Sequence, residues 1–280
     1  MIDFHGIQIP AIGMGTWHMG SDPNAYSQQK ATLQYGLHHG ATVIDTAEQY
    51  GSGDSEKIVG DAMRGFPRQK IFLISKFLPY HATRHAMTAA LNLSLKRLGT
   101  DYLDLYLYHW PGGTPLDQVV ANLEALKQAG KIRHWGVSNF DLSDMQRLVN
   151  VPNGADVFAN EDLYNIGSRG LDYEVLPWQR KHGIPLIAYA PVDQADTRGN
   201  GIVKNRLLEK VAREHHANAF QIALAWVIRD GHTLAIPQTD SQQHMQENID
   251  AAKIKLTQSD LRQLDRAFPK PTRRQPLDII

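Results

Sequence analysis

An apolar, β-forming run recurs about eight times along this chain, and after each one the sequence turns polar and then takes up helical spacing. The runs are GMGTW, TVIDTA, IFLISKF, DLYLYHW, HWGVSN, VFANED, PLIAYA and TLAIPQ. Consecutive apolar positions mark strands covered on both faces, which is the habit of a parallel sheet. Between them, segments such as MTAALNLSLKRLG and LDQVVANLEALKQAG space their apolar residues as a helix does and stop at a glycine. Repeated strand-helix units predict an α/β fold closing into a (β/α)8 TIM barrel. A doubly wound open sheet is the rival, but no GxGxxG follows the first strand. The stretch from Phe4 to Ile9 is expected to form an N-terminal hairpin cap. The segment PVDQADTRGNGIVKN is expected to be a mobile loop over the C-terminal mouth.

The whole chain, residues 1–280, reads as one domain. At 280 residues and 42% hydrophobic content, a single core can bury roughly three quarters of the extended surface. With 29 basic against 29 acidic residues and no long run of one sign, no docking surface for nucleic acid or an anionic membrane is expected. No apolar run approaches the ~20 residues of a membrane span. The absence of cysteine excludes disulfides, thiolate metal sites and a Cys nucleophile. His81 and His85 are one helical turn apart but lack a third ligand in their run, so no metal is assigned. These readings describe a cytoplasmic protein acting on a small molecule, expected to be a monomer.

Four ionisable residues stand where strands end. Asp45 follows TVI, Tyr50 comes shortly after, Lys76 follows IFLIS and His109 follows DLYLY. In barrel enzymes the chemistry sits at this end of the strands. A carboxylate, a phenol, an ammonium and an imidazole on one rim can protonate a carbonyl oxygen while a hydride reaches its carbon. Taken singly, Tyr50 is an ordinary loop aromatic and Lys76 with Asp45 a structural ion pair. A phenol with its ordinary pKa near ~10 is a slow donor at neutral pH. An ammonium ~4 Å away at an effective dielectric of ~20 stabilises the phenolate by roughly 4 kcal/mol, which is expected to bring that pKa down.

The segments VIDTAEQYG, IFLISKF and YLDLYLYHWP, with GMGTW near the start and ENIDAA near the end, resemble the aldo-keto reductases over nearly the whole chain. Within that family the likeness is to small bacterial reductases of methylglyoxal and other aldehydes. The resemblance implies reduction of aldehydes or ketones by a nicotinamide cofactor, NADPH ahead of NADH, with Tyr50 as general acid, Asp45 and Lys76 tuning it, and His109 orienting the carbonyl. It further implies cofactor contacts from Ser138, Asn139, Glu161 and Tyr189 around the nicotinamide. Gln238, Thr239 and His244 fall at the phosphates, and Glu247 and Asn248 at the adenine. Ser138 or Asn139 can also be read as the N-cap of the helix that follows. Trp17, Phe77 and Trp110 are expected to wall the substrate pocket.

Three positions depart from the pattern: Glu161 where glutamine is common, Ala190 where serine is common, and Gln238 where lysine is common. The lysine pairs with the 2′-phosphate, and a lost charge-assisted bond costs about 1.5 to 3 kcal/mol, which weakens discrimination in favour of NADPH. An ionised Glu161 would accept from a carboxamide without donating, and would favour the oxidised, cationic ring. The alternative to an enzyme is a cofactor-binding sensor on the same barrel with little turnover.

Overall fold

The computed structural model describes residues 1–192 and 201–280. The mouth loop expected over PVDQADTRGNGIVKN lies largely outside the described residues.

Residues Ile2–Phe4 (β1) and Ile7–Ile9 (β2) pair as an antiparallel hairpin. Eight parallel strands follow: Met14–Gly15 (β3), Val43–Asp45 (β4), Phe72–Phe77 (β5), Leu103–Tyr108 (β6), Ile132–Ser138 (β7), Asn160–Leu163 (β8), Leu186–Tyr189 (β9) and Thr233–Ala235 (β10). Each overlaps one of the apolar runs, β6, β7 and β8 reaching one or two residues beyond it, and each pairs with the strand next in sequence. The sheet closes on itself. Ile12 bridges Ala235, and the bonds Gly13 N to Ala235 O (2.8 Å), Ala235 N to Ala11 O (3.0 Å) and Gly15 N to Pro237 O (3.1 Å) join the last strand to the first. Gly15 is required at this seam, because a Cβ there would lie 2.6 Å from the Ile236 carbonyl oxygen.

The surrounding helices are Tyr26–His38 (α1), Asp54–Met63 (α2), Arg84–Leu98 (α3), Leu116–Gln128 (α4), Leu142–Val149 (α5), Val175–Lys181 (α6), Arg206–Glu214 (α7), Ala219–Val227 (α8), Gln242–Ala251 (α9) and Gln258–Ala267 (α10). α3 ends at Gly99 in the left-handed conformation, and Gly130, two residues past α4, is left-handed as well. No described helix is long and apolar enough to cross a membrane.

Side chains alternate across each strand, so the core divides into an inner and an outer layer. One lies between strands and helices and includes Ile44, Leu73, Phe77, Tyr106, Tyr108 and Trp135. The other fills the barrel with Val43, Ile74, Leu105, Leu107, Ile187, Leu234 and Ile236, and continues down to Ile2, Phe4 and Ile9 of the hairpin. Phe4 is fully buried against Phe158, so β1 and β2 plug the bottom of the barrel. Only the opposite end remains for a ligand.

Candidate active site

Above the apolar filling, the interior positions turn polar strand by strand. Asp45 ends β4 level with Ile74 of β5, and Lys76 is the next interior residue of β5, level with Leu107 of β6. Two residues beyond Leu107 the same face carries His109, whose N–H continues the ladder to Phe77 O at 3.1 Å. Ser138 of β7 stands opposite Glu161 of β8, and Tyr189 ends β9. Strand alternation and stagger therefore gather residues from six consecutive strands into one ring.

The Lys76 ammonium is the hub of this ring and is wholly buried. It donates to both oxygens of Asp45 (2.6 and 2.7 Å), to the Thr46 carbonyl (3.2 Å) and to the Tyr50 hydroxyl (3.2 Å). It also lies 3.3 Å from Glu161 Oε1. Asp45 is held from behind, its carbonyl accepting from Thr16 Oγ1 at 2.8 Å. Tyr50 reaches the ring from the turn after β4, with its ring edge-on to His109 at 5.8 Å.

Burial alone would lower the Lys76 pKa, but its carboxyl neighbours, Asp45 above all, reverse this and raise it, so Lys76 stays an ammonium. Tyr50 is raised as well. Burial dominates, Lys76 pulls the other way, and Asp45 and Glu161 add to the rise. This corrects the expectation that Lys76 brings the phenol down: its pull is outweighed by desolvation and by two carboxyl neighbours. Burial pushes Asp45 upward while Lys76 draws it back. His109 is driven down to about 2 by burial and by the Lys76 charge, so the imidazole is neutral at neutral pH. Its Nδ1 is buried without a partner among the described residues.

The residues expected at the nicotinamide adjoin this ring. Asn139 Nδ2 donates to Ser138 Oγ and to the His109 carbonyl, each at 3.1 Å, and Asn139 Oδ1 accepts from the Tyr189 hydroxyl at 2.7 Å. Asn139 takes a left-handed φ of 58°, which asparagine tolerates and which turns the chain out of β7. Neither Ser138 nor Asn139 caps α5. That part falls to Asp141, in a reciprocal capping box with Asp144. Ala190 also has a positive φ, 45°, and its carbonyl accepts from Asn165 Nδ2 at 3.0 Å.

The expected phosphate and adenine residues lie on and before α9, apart from the buried ring. Gln238 is exposed and donates to Asp240 Oδ1 at 2.8 Å. Thr239 Oγ1 accepts from Ser241 N, and Ser241 caps the helix by accepting from His244 N at 3.3 Å. Glu247 accepts from Asn218 and Gln243, tying α9 to α8, while Asn248 is half-buried on the same helix. Asp240 was not anticipated from the sequence. Its position in a polar turn two residues past Gln238 is the signal that could have found it.

Of the expected pocket aromatics, Trp17 is exposed and stacks on His18, and Trp110 is half-buried beside His109, their rings 4.7 Å apart. Phe77 does not face the mouth. It is fully buried between Tyr106 and Tyr108 on the helix side of β5, because the residue after the inward Lys76 must point outward.

The family model described as aldo/keto reductase matches residues 11–268. The methylglyoxal reductase YeaE of Escherichia coli is 43% identical over 281 residues, covering all of this chain and 99% of that protein. The glyoxal reductase of Bacillus subtilis is 29% identical, covering 93% of this chain and 90% of its own length. A Klebsiella pneumoniae aldo/keto reductase crystallised with NADP and acetate superposes with a TM-score of 0.96 at 43% identity, over 99% of this chain and 98% of that one.

Proposed function

This chain belongs to the aldo/keto reductase family, and on that premise we propose that it reduces short aldehydes or dicarbonyls such as methylglyoxal to alcohols, with Tyr50 as the proton donor and NADPH, ahead of NADH, as the cofactor. The observation that carries this reading is the Lys76 hub, which holds Asp45 and Tyr50 within hydrogen-bond reach at the open end of the barrel. The similarity to a methylglyoxal reductase over both full lengths supports the substrate class. The NADP-bound Klebsiella relative supports the cofactor.

The residues present fit a nicotinamide. Ser138, Asn139 and Tyr189 form a polar set beside the ring, and Glu161 keeps a buried oxygen, Oε2, without a partner among the described residues. The cofactor supplies the hydride when bound. The protein's part is the proton. Tyr50 remains a phenol at neutral pH, and its proton passes to the carbonyl oxygen as negative charge gathers there. Lys76 then faces the new phenolate from 3.2 Å and stabilises it, while Asp45 fixes the ammonium in place. The neutral His109 is suited to donate one hydrogen bond to the carbonyl and set its angle of approach. Trp17 and Trp110 offer apolar walls suited to a small, uncharged substrate. A sensor with little turnover has no use for a buried ion cluster whose assembly costs desolvation.

Fluorescence titration with NADPH and NADH, followed by turnover with methylglyoxal, tests the reading. Binding of NADPH with steady consumption and formation of an alcohol is expected. Binding without turnover on any short aldehyde or dicarbonyl would overturn it.

A further inference from the structure

Two carboxyl groups share one buried ammonium. Asp45 grips Lys76 with both oxygens at 2.6 and 2.7 Å, whereas Glu161 touches it with Oε1 alone at 3.3 Å and leaves Oε2 buried without a partner among the described residues. Each of the two carboxyl side chains is about 2% exposed and that of Lys76 is not exposed at all. If both carboxyls were ionised, the enclosed cluster would carry a net negative charge, and one carboxylate oxygen would have no donor. Both conditions are unfavourable away from water.

We propose that Glu161 is a positioning residue that stays a neutral carboxylic acid beside the Lys76–Asp45 pair, acting on Tyr50 through Lys76 and limiting how far into alkaline pH the proton transfer extends. The asymmetry of the contacts decides which carboxyl carries the proton: Asp45, with the bidentate grip, is the better placed to be ionised. Burial and the Asp45 charge both push the Glu161 carboxyl well above the ordinary range, with Lys76 opposing. The titratable groups facing this cluster are Asp45 from β4, Tyr50 from the turn beyond it, Lys76 from β5, His109 from the end of β6 and Tyr189 from β9. His109 is neutral and Tyr189 is held as a phenol, so neither supplies a compensating charge.

The consequence for the reaction, which rests on the carbonyl-reductase reading, follows from electrostatics. A neutral Glu161 leaves the ammonium free to stabilise the phenolate that Tyr50 becomes. Once Glu161 ionises, its charge cancels part of that pull, and reduction slows before Tyr50 itself titrates. A neutral carboxylic acid also has one donor and one acceptor, so it can stand where other family members carry a glutamine amide.

Infrared spectroscopy of the unliganded protein tests the protonation without any turnover. A protonated-carboxyl carbonyl band at neutral pH should shift on ¹³C-carboxyl labelling of glutamate and not of aspartate, and should vanish in Glu161→Gln. In kcat against pH, Glu161→Gln should carry the alkaline fall about one unit or more higher than in the wild type. No band that shifts with the glutamate label overturns the proposal even if the variant fails to fold, whereas a band that follows the aspartate label is expected from Asp162, which burial also pushes well above the carboxylate range. Superimposable pH profiles overturn the link to Tyr50. A wild type that shows the glutamate band but reduces no carbonyl would instead sink the functional reading and leave the protonation standing.

Discussion

The Lys76 ammonium lies 3.2 Å from the Tyr50 hydroxyl, yet Tyr50 is harder to ionise than a free tyrosine. On the proposed reading, the pair keeps the proton on the phenol until a carbonyl oxygen develops enough charge to take it. A buried cation beside a half-buried phenol helps most after the proton has left, which is where the proposed reaction needs the stabilisation.

Removing that hydroxyl removes the donor and little else. Tyr50→Phe is expected to lower kcat for carbonyl reduction by about 100-fold or more while the cofactor dissociation constant changes less than about twofold. Steady-state kinetics with a fluorescence titration measure both, and a variant that retains a tenth of wild-type kcat takes Tyr50 out of the acid role.

Lys76→Met should damage stability as well as rate. The substitution keeps most of the side-chain volume but strips Asp45 of the ammonium that both its oxygens touch. An uncompensated buried carboxylate costs about 3 to 5 kcal/mol, or else binds a proton. Urea unfolding at neutral and acidic pH is the measurement, with the deficit shrinking as the pH falls and Asp45 protonates. A deficit that does not change with pH would contradict this account.

His109 makes the fold sensitive to acid. Its folded-state pKa of about 2 lies below the ordinary histidine value near ~6.5, so folding excludes a proton that the unfolded chain accepts. The contribution to stability is complete above ~6.5 and is lost as pH falls from there toward the folded value. Between pH 7 and 5 the loss from this residue is about 2 kcal/mol. Unfolding free energies at the two pH values should therefore differ less in His109→Gln than in the wild type, by about that amount. Equal pH dependence in the two proteins would show that the imidazole takes a proton inside the fold.

The Gln238–Asp240 bond alters the expectation for cofactor choice. A lysine at position 238 adds a cation that only a 2′-phosphate can use, but Asp240, now the acceptor of the Gln238 amide, is placed to capture it. Gln238→Lys alone should tighten NADPH by about 1 kcal/mol, and with Asp240→Ala by about 1 to 3 kcal/mol, with NADH nearly unmoved and both gains shrinking as salt rises. Dissociation constants for the two cofactors across the four combinations check this. No change in the NADPH to NADH ratio in either variant would remove these positions from the choice.

The barrel was legible because strands covered on both faces leave uninterrupted apolar runs, and each of the eight runs overlaps one strand of the sheet. Asp45, Lys76 and His109 were legible for a related reason, since an ionisable residue ending such a run has nowhere to go but the rim. What the runs hide is which face a residue takes. Phe77 follows Lys76 and so must turn away from it, a consequence of strand alternation that adjacency in sequence obscures. The contact of Glu161 with Lys76 was not legible, because it crosses the barrel between β8 and β5 and no local pattern encodes a cross-barrel distance. The helix cap was misplaced by only a few residues, at Ser138 or Asn139 in place of Asp141, because several good capping residues stand together there.

The seam between Ala11–Gly15 and Ala235–Pro237 sets an order of assembly. Strands β3 to β6 carry or precede every group of the Asp45, Tyr50, Lys76 and His109 set, and each pairs with a neighbour close to it in sequence. The last pairing must wait for residues synthesised near the end of the chain, and contacts of such long separation form slowly. A growing chain can therefore pair the strands that carry this set early and with an open edge, and the sheet closes only when the final strand arrives.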